Sequence, residues 1–241
     1  MSYKNTHISL SDNQIKSVLT LYSNGEIEKA IKKIKALNKD YPNVPLLFNI
    51  LGACYQSQGD LVGSMQMFKT AISIKSDYTE AYFNLAAVQK RAGQLEDAIL
   101  SYQKTISLLP NYAEAHNNLG NILKLIGQAD LATKCYQSAI NAKPDFADAH
   151  NNLGISLKDN KKFDEAIKCF EKSLEINSSN YDACFNLANV WRDLQFRNKA
   201  LRYFEQARKI NPNADYILGN VMFTKTHLCE WSKWTKDLKE L

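Results

Sequence analysis

AEAHNNLGNILKLIGQADLATKCYQSAINAKPDF, residues 113–146, is followed without a gap by ADAHNNLGISLKDNKKFDEAIKCFEKSLEINSSN, residues 147–180. In the first stretch Leu119, Ile122, Leu123 and Ile126 recur at steps of three and four, the spacing of one helix face. Gly127 breaks that pattern. A second helical pattern follows through Leu131, Ala132, Cys135, Tyr136, Ala139 and Ile140, and Pro144 ends it. The second stretch carries the same A-x-A-H-N-N-L-G opening and the alanine at position 20 in the same register. Two helices in a 34-residue unit, copied in tandem, mark a stacked helical repeat.

Working outward, six such units tile the chain without insertion: 11–44, 45–78, 79–112, 113–146, 147–180 and 181–214. Residues 1–10 form a short lead. A truncated seventh unit begins at Asp215, and 215–241 reads as that unit plus a capping or linker helix. Five columns run through the units in phase. Position 8 holds Gly52, Ala86, Gly120, Gly154 and Ala188. Position 20 holds Ala30, Ala98, Ala132, Ala166 and Ala200, with Ser64 in the remaining slot. Small residues there let two helices approach closely. Position 24 holds Phe68, Tyr102, Tyr136, Phe170 and Phe204, rings expected to fill the gap between neighbouring pairs. Position 15 holds Gly25, Gly59, Gly93 and Gly127, suited to the left-handed residue after a helix. Position 32 holds Pro42, Pro110, Pro144 and Pro212, which stop the second helix. The first unit departs most, with Val18 at position 8 and Ile34 at position 24, and it opens on a capping box from Ser11 to Gln14.

Composition agrees with a packed array. Of 241 residues 45% are apolar, enough for a continuous core, while 9 Gly and 5 Pro leave room for long helices. The net charge of +5, from 30 basic and 25 acidic residues, is small and spread out, so no nucleic-acid partner is implied. Five cysteines without a CxxC argue against a disulfide framework or zinc site and favour a reducing, cytoplasmic setting. The longest nearly apolar run, Val44 to Cys54, is too short to span a membrane. No nucleophile–base constellation, phosphate loop or dinucleotide turn occurs, so no catalytic residue, metal or cofactor is expected. His116 and His150, both at position 4, read as packed residues.

The five columns resemble the tetratricopeptide repeat. The resemblance implies an all-α fold, a right-handed superhelical solenoid of six full repeats plus a truncated seventh. It places the first helix of each pair on the concave face. On that helix residues 2, 5, 6, 9, 12 and 13 share one side. Position 6 reads Asn84, Asn118, Asn152, Asn186 and Asn220; position 5 adds Asn49, Asn117 and Asn151; position 9 adds Asn121 and Asn189. Asparagine is a mediocre helix former, so its return at fixed phase needs a reason. Two readings stand. The carboxamides bond to the next repeat and fix its angle, or they form a ladder that grips the backbone of an extended peptide, for which they offer both donors and acceptors. Position 2 carries Glu80, Glu114, Asp148 and Asp182, and position 12 carries Lys90, Lys124, Lys158 and Arg192. Their ends suit the helix dipole. Asp148 and Asp182 are also candidates for selecting peptide side chains.

The tail narrows the resemblance. After Asn220 the chain reaches Cys229-Glu230-Trp231-Ser232-Lys233-Trp234. Together with AEAHNNLG and ADAHNNLG, this resembles the repeat array and junction of O-linked N-acetylglucosamine transferases and their SPINDLY-like bacterial relatives, with Glu230 where Asp is usual. The resemblance implies a substrate-recognition arm for proteins or extended peptides, a UDP-sugar donor with Ser or Thr acceptors, and a catalytic domain downstream of Trp231–Leu241. A stand-alone protein-assembly scaffold, or the repeat arm of another enzyme class such as a sulfotransferase, remains open.

Overall fold

The computed structural model describes residues 10–228. The tail through Cys229, Trp231, Trp234 and Leu241, on which the junction reading rests, lies outside the described residues. Within them there are thirteen α-helices and no strand. Residues up to Ala115 and residues from His116 form two compact units.

The repeat sets the helix starts. Second helices begin at Ile27 (α2, Ile27–Asp40), Leu61 (α4, Leu61–Ile74), Leu95 (α6, Leu95–Leu108), Ala129 (α8, Ala129–Ala142), Phe163 (α10, Phe163–Ile176) and Arg197 (α12, Arg197–Ile210). First helices are α1 (Asp12–Ser23), α3 (Pro45–Ser57), α5 (Thr79–Arg91), α7 (Ala113–Leu125), α9 (Ala147–Asp159), α11 (Tyr181–Asp193) and α13 (Ile217–His227). Each interior first helix therefore opens at position 1 of its unit. The last does not: Tyr216 adopts φ +61° before α13, which delays its start. At the other end Ser11 caps α1 by the box its sequence predicts. The Ser11 backbone N–H donates to Gln14 Oε1 at 2.9 Å, and the Gln14 N–H donates to Ser11 Oγ at 3.3 Å.

The turns between paired helices show why position 15 is glycine four times. Gly25, Gly59, Gly93 and Gly127 have φ between +76° and +81°. Lys161 and Gln195 hold the same position in the fifth and sixth repeats and keep the same backbone at φ +60° and +66°. The turn is a property of the packing, and the residue there only sets its cost.

In three repeats the ring at position 24 lies over the glycine at position 8 of its own repeat. A Cβ added to Gly120 would stand 2.6 Å from the Tyr136 ring, and one on Gly52 or Gly154 would stand 2.7 Å from Phe68 or Phe170. Glycine is thus the hole and the ring the knob. Phe68 also joins Leu85 and Val88 of the following repeat in one buried cluster. In the first repeat Val18 and Ile34 exchange bulk between the two positions and both are fully buried. Ser64, in the one slot that lacks alanine, is buried and donates its Oγ–H to the Gly52 carbonyl at 2.8 Å, so its hydroxyl is satisfied.

Candidate asparagine face of the first helices

The asparagines at positions 5 and 6 pair across successive repeats. In the first unit Asn84 Nδ2 donates to Asn49 Oδ1 at 3.1 Å. In the second, Asn152 Nδ2 donates to Asn117 Oδ1 at 2.9 Å, and Asn186 Nδ2 donates to Asn151 Oδ1 at 3.1 Å. Each bond runs from position 6 of one repeat to position 5 of the repeat before. The donors are half-buried, whereas Asn117 and Asn151 are 6% and 7% exposed. The bonds therefore do what the repeat-locking reading expects. A carboxamide has two N–H groups and two lone pairs on oxygen, so this bond uses only part of each donor's capacity.

The other asparagines are held differently. Asn220, at position 6 of the last repeat, accepts from Arg192 Nη1 at 2.6 Å and donates to the Tyr216 carbonyl at 2.8 Å. Arg192 Nη2 also donates to Asn189 Oδ1 at 2.6 Å, and Asn189 donates to the Phe185 carbonyl at 2.9 Å. Asn121 Oδ1 accepts from the Tyr136 hydroxyl at 3.0 Å. Asn118 is half-buried and makes no hydrogen bond to another described residue. Position 5 of the third and sixth repeats is phenylalanine, and these rings are engaged in stacking: Phe83 with Tyr112 at 4.8 Å, Phe185 with Tyr181 at 5.8 Å.

The charged columns flank this face. Asp148 and Asp182 lie exposed in the first turns of α9 and α11. Lys124, in the last turn of α7, reaches Asp159 of the next repeat at 3.4 Å. His150 donates Nε2–H to the Pro144 carbonyl at 2.9 Å, a packing role. Among the described residues no three of His, Cys, Asp and Glu come together as metal ligands. No described helix is long and apolar enough to cross a membrane. Burial pushes the thiols of Cys54, Cys169 and Cys184 up to about 11, so these cysteines are held as neutral core groups.

Models of the tetratricopeptide repeat match residues 147–180 and 181–214, and TPR repeat models match 90–127 and 120–161. Together these spans cover more than half of the sequence. The chain belongs to the tetratricopeptide-repeat family. It is a protein-binding helical-repeat scaffold of that kind. No curated protein matches it. Among solved structures it is similar to PilF of Pseudomonas aeruginosa at 19% identity and TM-score 0.73, over 80% of this chain and 88% of that one. It is similar to MamA at 25% identity and TM-score 0.62, over 67% of this chain and 95% of that one. It is also similar to YrrB, described as a TPR protein with an unusual peptide-binding site, at 19% identity and TM-score 0.63, over 77% and 96%. The likenesses to PilF and YrrB show the shared fold.

Sequence reasoning placed the asparagines on one face but left their partners open. The partner lies 35 residues back, one repeat and one position. The doubled asparagines, Asn117-Asn118 and Asn151-Asn152, were the signal that both ends of such a bond recur together.

Proposed function

We propose that the first-helix face binds extended peptide segments of protein partners through its asparagine carboxamides. Asn84, Asn118, Asn152, Asn186 and Asn220 supply backbone contacts, and Asp148 and Asp182 favour basic side chains. The observation that carries this reading is the pairing across repeats. Beyond that bond Asn152 and Asn186, one repeat apart, each retain an oxygen and an N–H, which suit a peptide backbone rather than one side chain. Peptide binding by a repeat of this fold also has a precedent in YrrB, which is described as having a peptide-binding site.

The resemblance of the array and of Cys229-Glu230-Trp231 to O-linked N-acetylglucosamine transferases supports a further step: the face selects protein substrates for a glycosyltransferase. The discriminating observation is whether the reading frame continues into a doubly wound, sugar-nucleotide-binding domain. A continuation into a sulfotransferase or another enzyme would replace that step. A reading frame that stops would favour the assembly scaffold.

The test of the binding reading is a peptide array probed with wild type and with an N118A/N152A/N186A variant. Each lost bond to a neutral partner weakens binding by about 0.5–1.5 kcal/mol, so the triple change should cost roughly one to three powers of ten across many unrelated peptides. The variant should stay folded, since alanine's helix preference offsets part of the two lost repeat bonds. Unchanged binding by a folded triple variant would remove the reading.

A further inference from the structure

We propose that Asn117 and Asn151 are positioning residues. They do not meet the ligand themselves but fix the orientation of the asparagine that does. The proposal rests on the peptide-binding reading above.

Three observations carry it. The first is depth. Asn117 and Asn151 are almost fully buried, so little of either side chain can reach a bound peptide, and the Oδ1 of each accepts from a more accessible asparagine of the next repeat. The second is the nature of the torsion they control. The terminal rotation of an asparagine amide is broad and roughly two-fold, so an untethered carboxamide presents oxygen or nitrogen almost interchangeably. The bond to Asn117 or Asn151 uses one N–H and thereby decides which edge of Asn152 or Asn186 faces out. A peptide backbone alternates donors and acceptors, so a row of amides matches it only when their sense is set in advance. The third is the contrast inside the chain. Where position 5 is Phe185, the following Asn220 is held from another side, by Arg192 Nη1 and the Tyr216 carbonyl.

The probe is the tightest peptide from the array, labelled with fluorescein and titrated by anisotropy against the full chain. N186A should weaken it about three- to tenfold. N151L removes the acceptor at similar volume and should weaken it by a similar factor. The N151L/N186A double variant should be no worse than either alone, because the two residues act through one contact. N151D keeps an acceptor and should restore binding to within about twofold of wild type. A purely structural role would lower the melting temperature of N151L without this non-additivity and without rescue by N151D. If N151L misfolds by circular dichroism, N151A replaces it in the cycle.

A second readout needs no ligand. The side-chain amide signals of Asn186 in a 15N spectrum should move in N151L and stay in place in N151D, while those of Asn118 change in neither. Unmoved Asn186 signals in N151L would overturn the proposal. So would additive losses in the double variant, or full binding by N151L beside a weakened N186A. In that last case the peptide-binding reading still stands. Wild-type binding that survives N118A/N152A/N186A removes the reading itself, and the ligand-orienting role with it.

Discussion

Replacing Lys161 and Gln195 by glycine should stabilise this protein although neither change adds a contact. Both residues occupy the turn position that is glycine in the first four repeats, and both hold φ near +60°. An L-residue in that region costs about 1–2 kcal/mol through its Cβ. Glycine removes the cost but gives the unfolded chain about 0.4–1 kcal/mol of extra entropy. The net gain is about 0.5–1 kcal/mol per site. The backbone bonds of the turn survive the change, because Lys161 N–H to the Lys158 carbonyl and Gln195 N–H to the Arg192 carbonyl, both 2.9 Å, involve no side chain. Two independent sites should add, giving about 1–2 kcal/mol and a rise of roughly 2–8 °C for a chain of this size. The assay is thermal unfolding followed at 222 nm, with urea titration as a second measure. The reverse changes, Gly59→Ala and Gly93→Ala, are the control. A Cβ there meets no atom within 4 Å, so any loss reports the backbone angle alone. If the glycine variants melt at or below wild type while the alanine variants are neutral, the left-handed turn carries no cost and the reasoning is wrong.

Two further outcomes follow from packing and burial. Tyr136→Ala should destabilise by about 3–5 kcal/mol, because it empties the space against Gly120 and strands Asn121 without its hydroxyl donor; an unshifted melting curve would contradict the knob-and-hole account. Stability should also fall in alkali. Cys54, Cys169 and Cys184 are raised from 9.0 to about 11 and Tyr136 from 10.0 to about 12, mainly by burial. The folded state therefore binds more protons than the unfolded one in this range, so their contribution is complete below pH 9 and is lost as pH rises through 11 to 12. Urea midpoints at pH 8 and pH 10.5 compare the two regimes, and equal midpoints would show that these groups are not held neutral.

The fold was legible because its signals are local and repeated. Apolar steps of three and four gave the helices, Gly127 and its counterparts the turns, and Pro144 the stop. The helix starts confirm that spacing down to position 1 of each interior unit. The ring at position 24 was less legible. Size and period located it, but only coordinates showed that Gly52, Gly120 and Gly154 receive it within the same repeat. The asparagine face was half legible. Helical phase gathers Asn84, Asn118, Asn152 and Asn186 onto one side, whereas their hydrogen bonds depend on how far one repeat is displaced along the next. A single repeat's sequence does not contain that displacement. The same limit hid the Arg192 clamp on Asn220, which joins residues 28 apart in a repeat whose start is shifted.

The closure of Phe68, Tyr136 and Phe170 onto the glycines of their own repeats bears on how such an array changes length. A contact made inside one copy is inherited intact when that copy is duplicated or lost. At the joints after Asn117 and Asn151 the polar part of the seam is one pair, an asparagine at position 5 before it and an asparagine at position 6 after it. Excising residues 147–180 would set the repeat of Asn117 before that of Asn186 and recreate the same pair. At that point the array can therefore lose a whole 34-residue step without meeting unfamiliar chemistry at the seam, which makes repeat number an easily varied trait in proteins built this way.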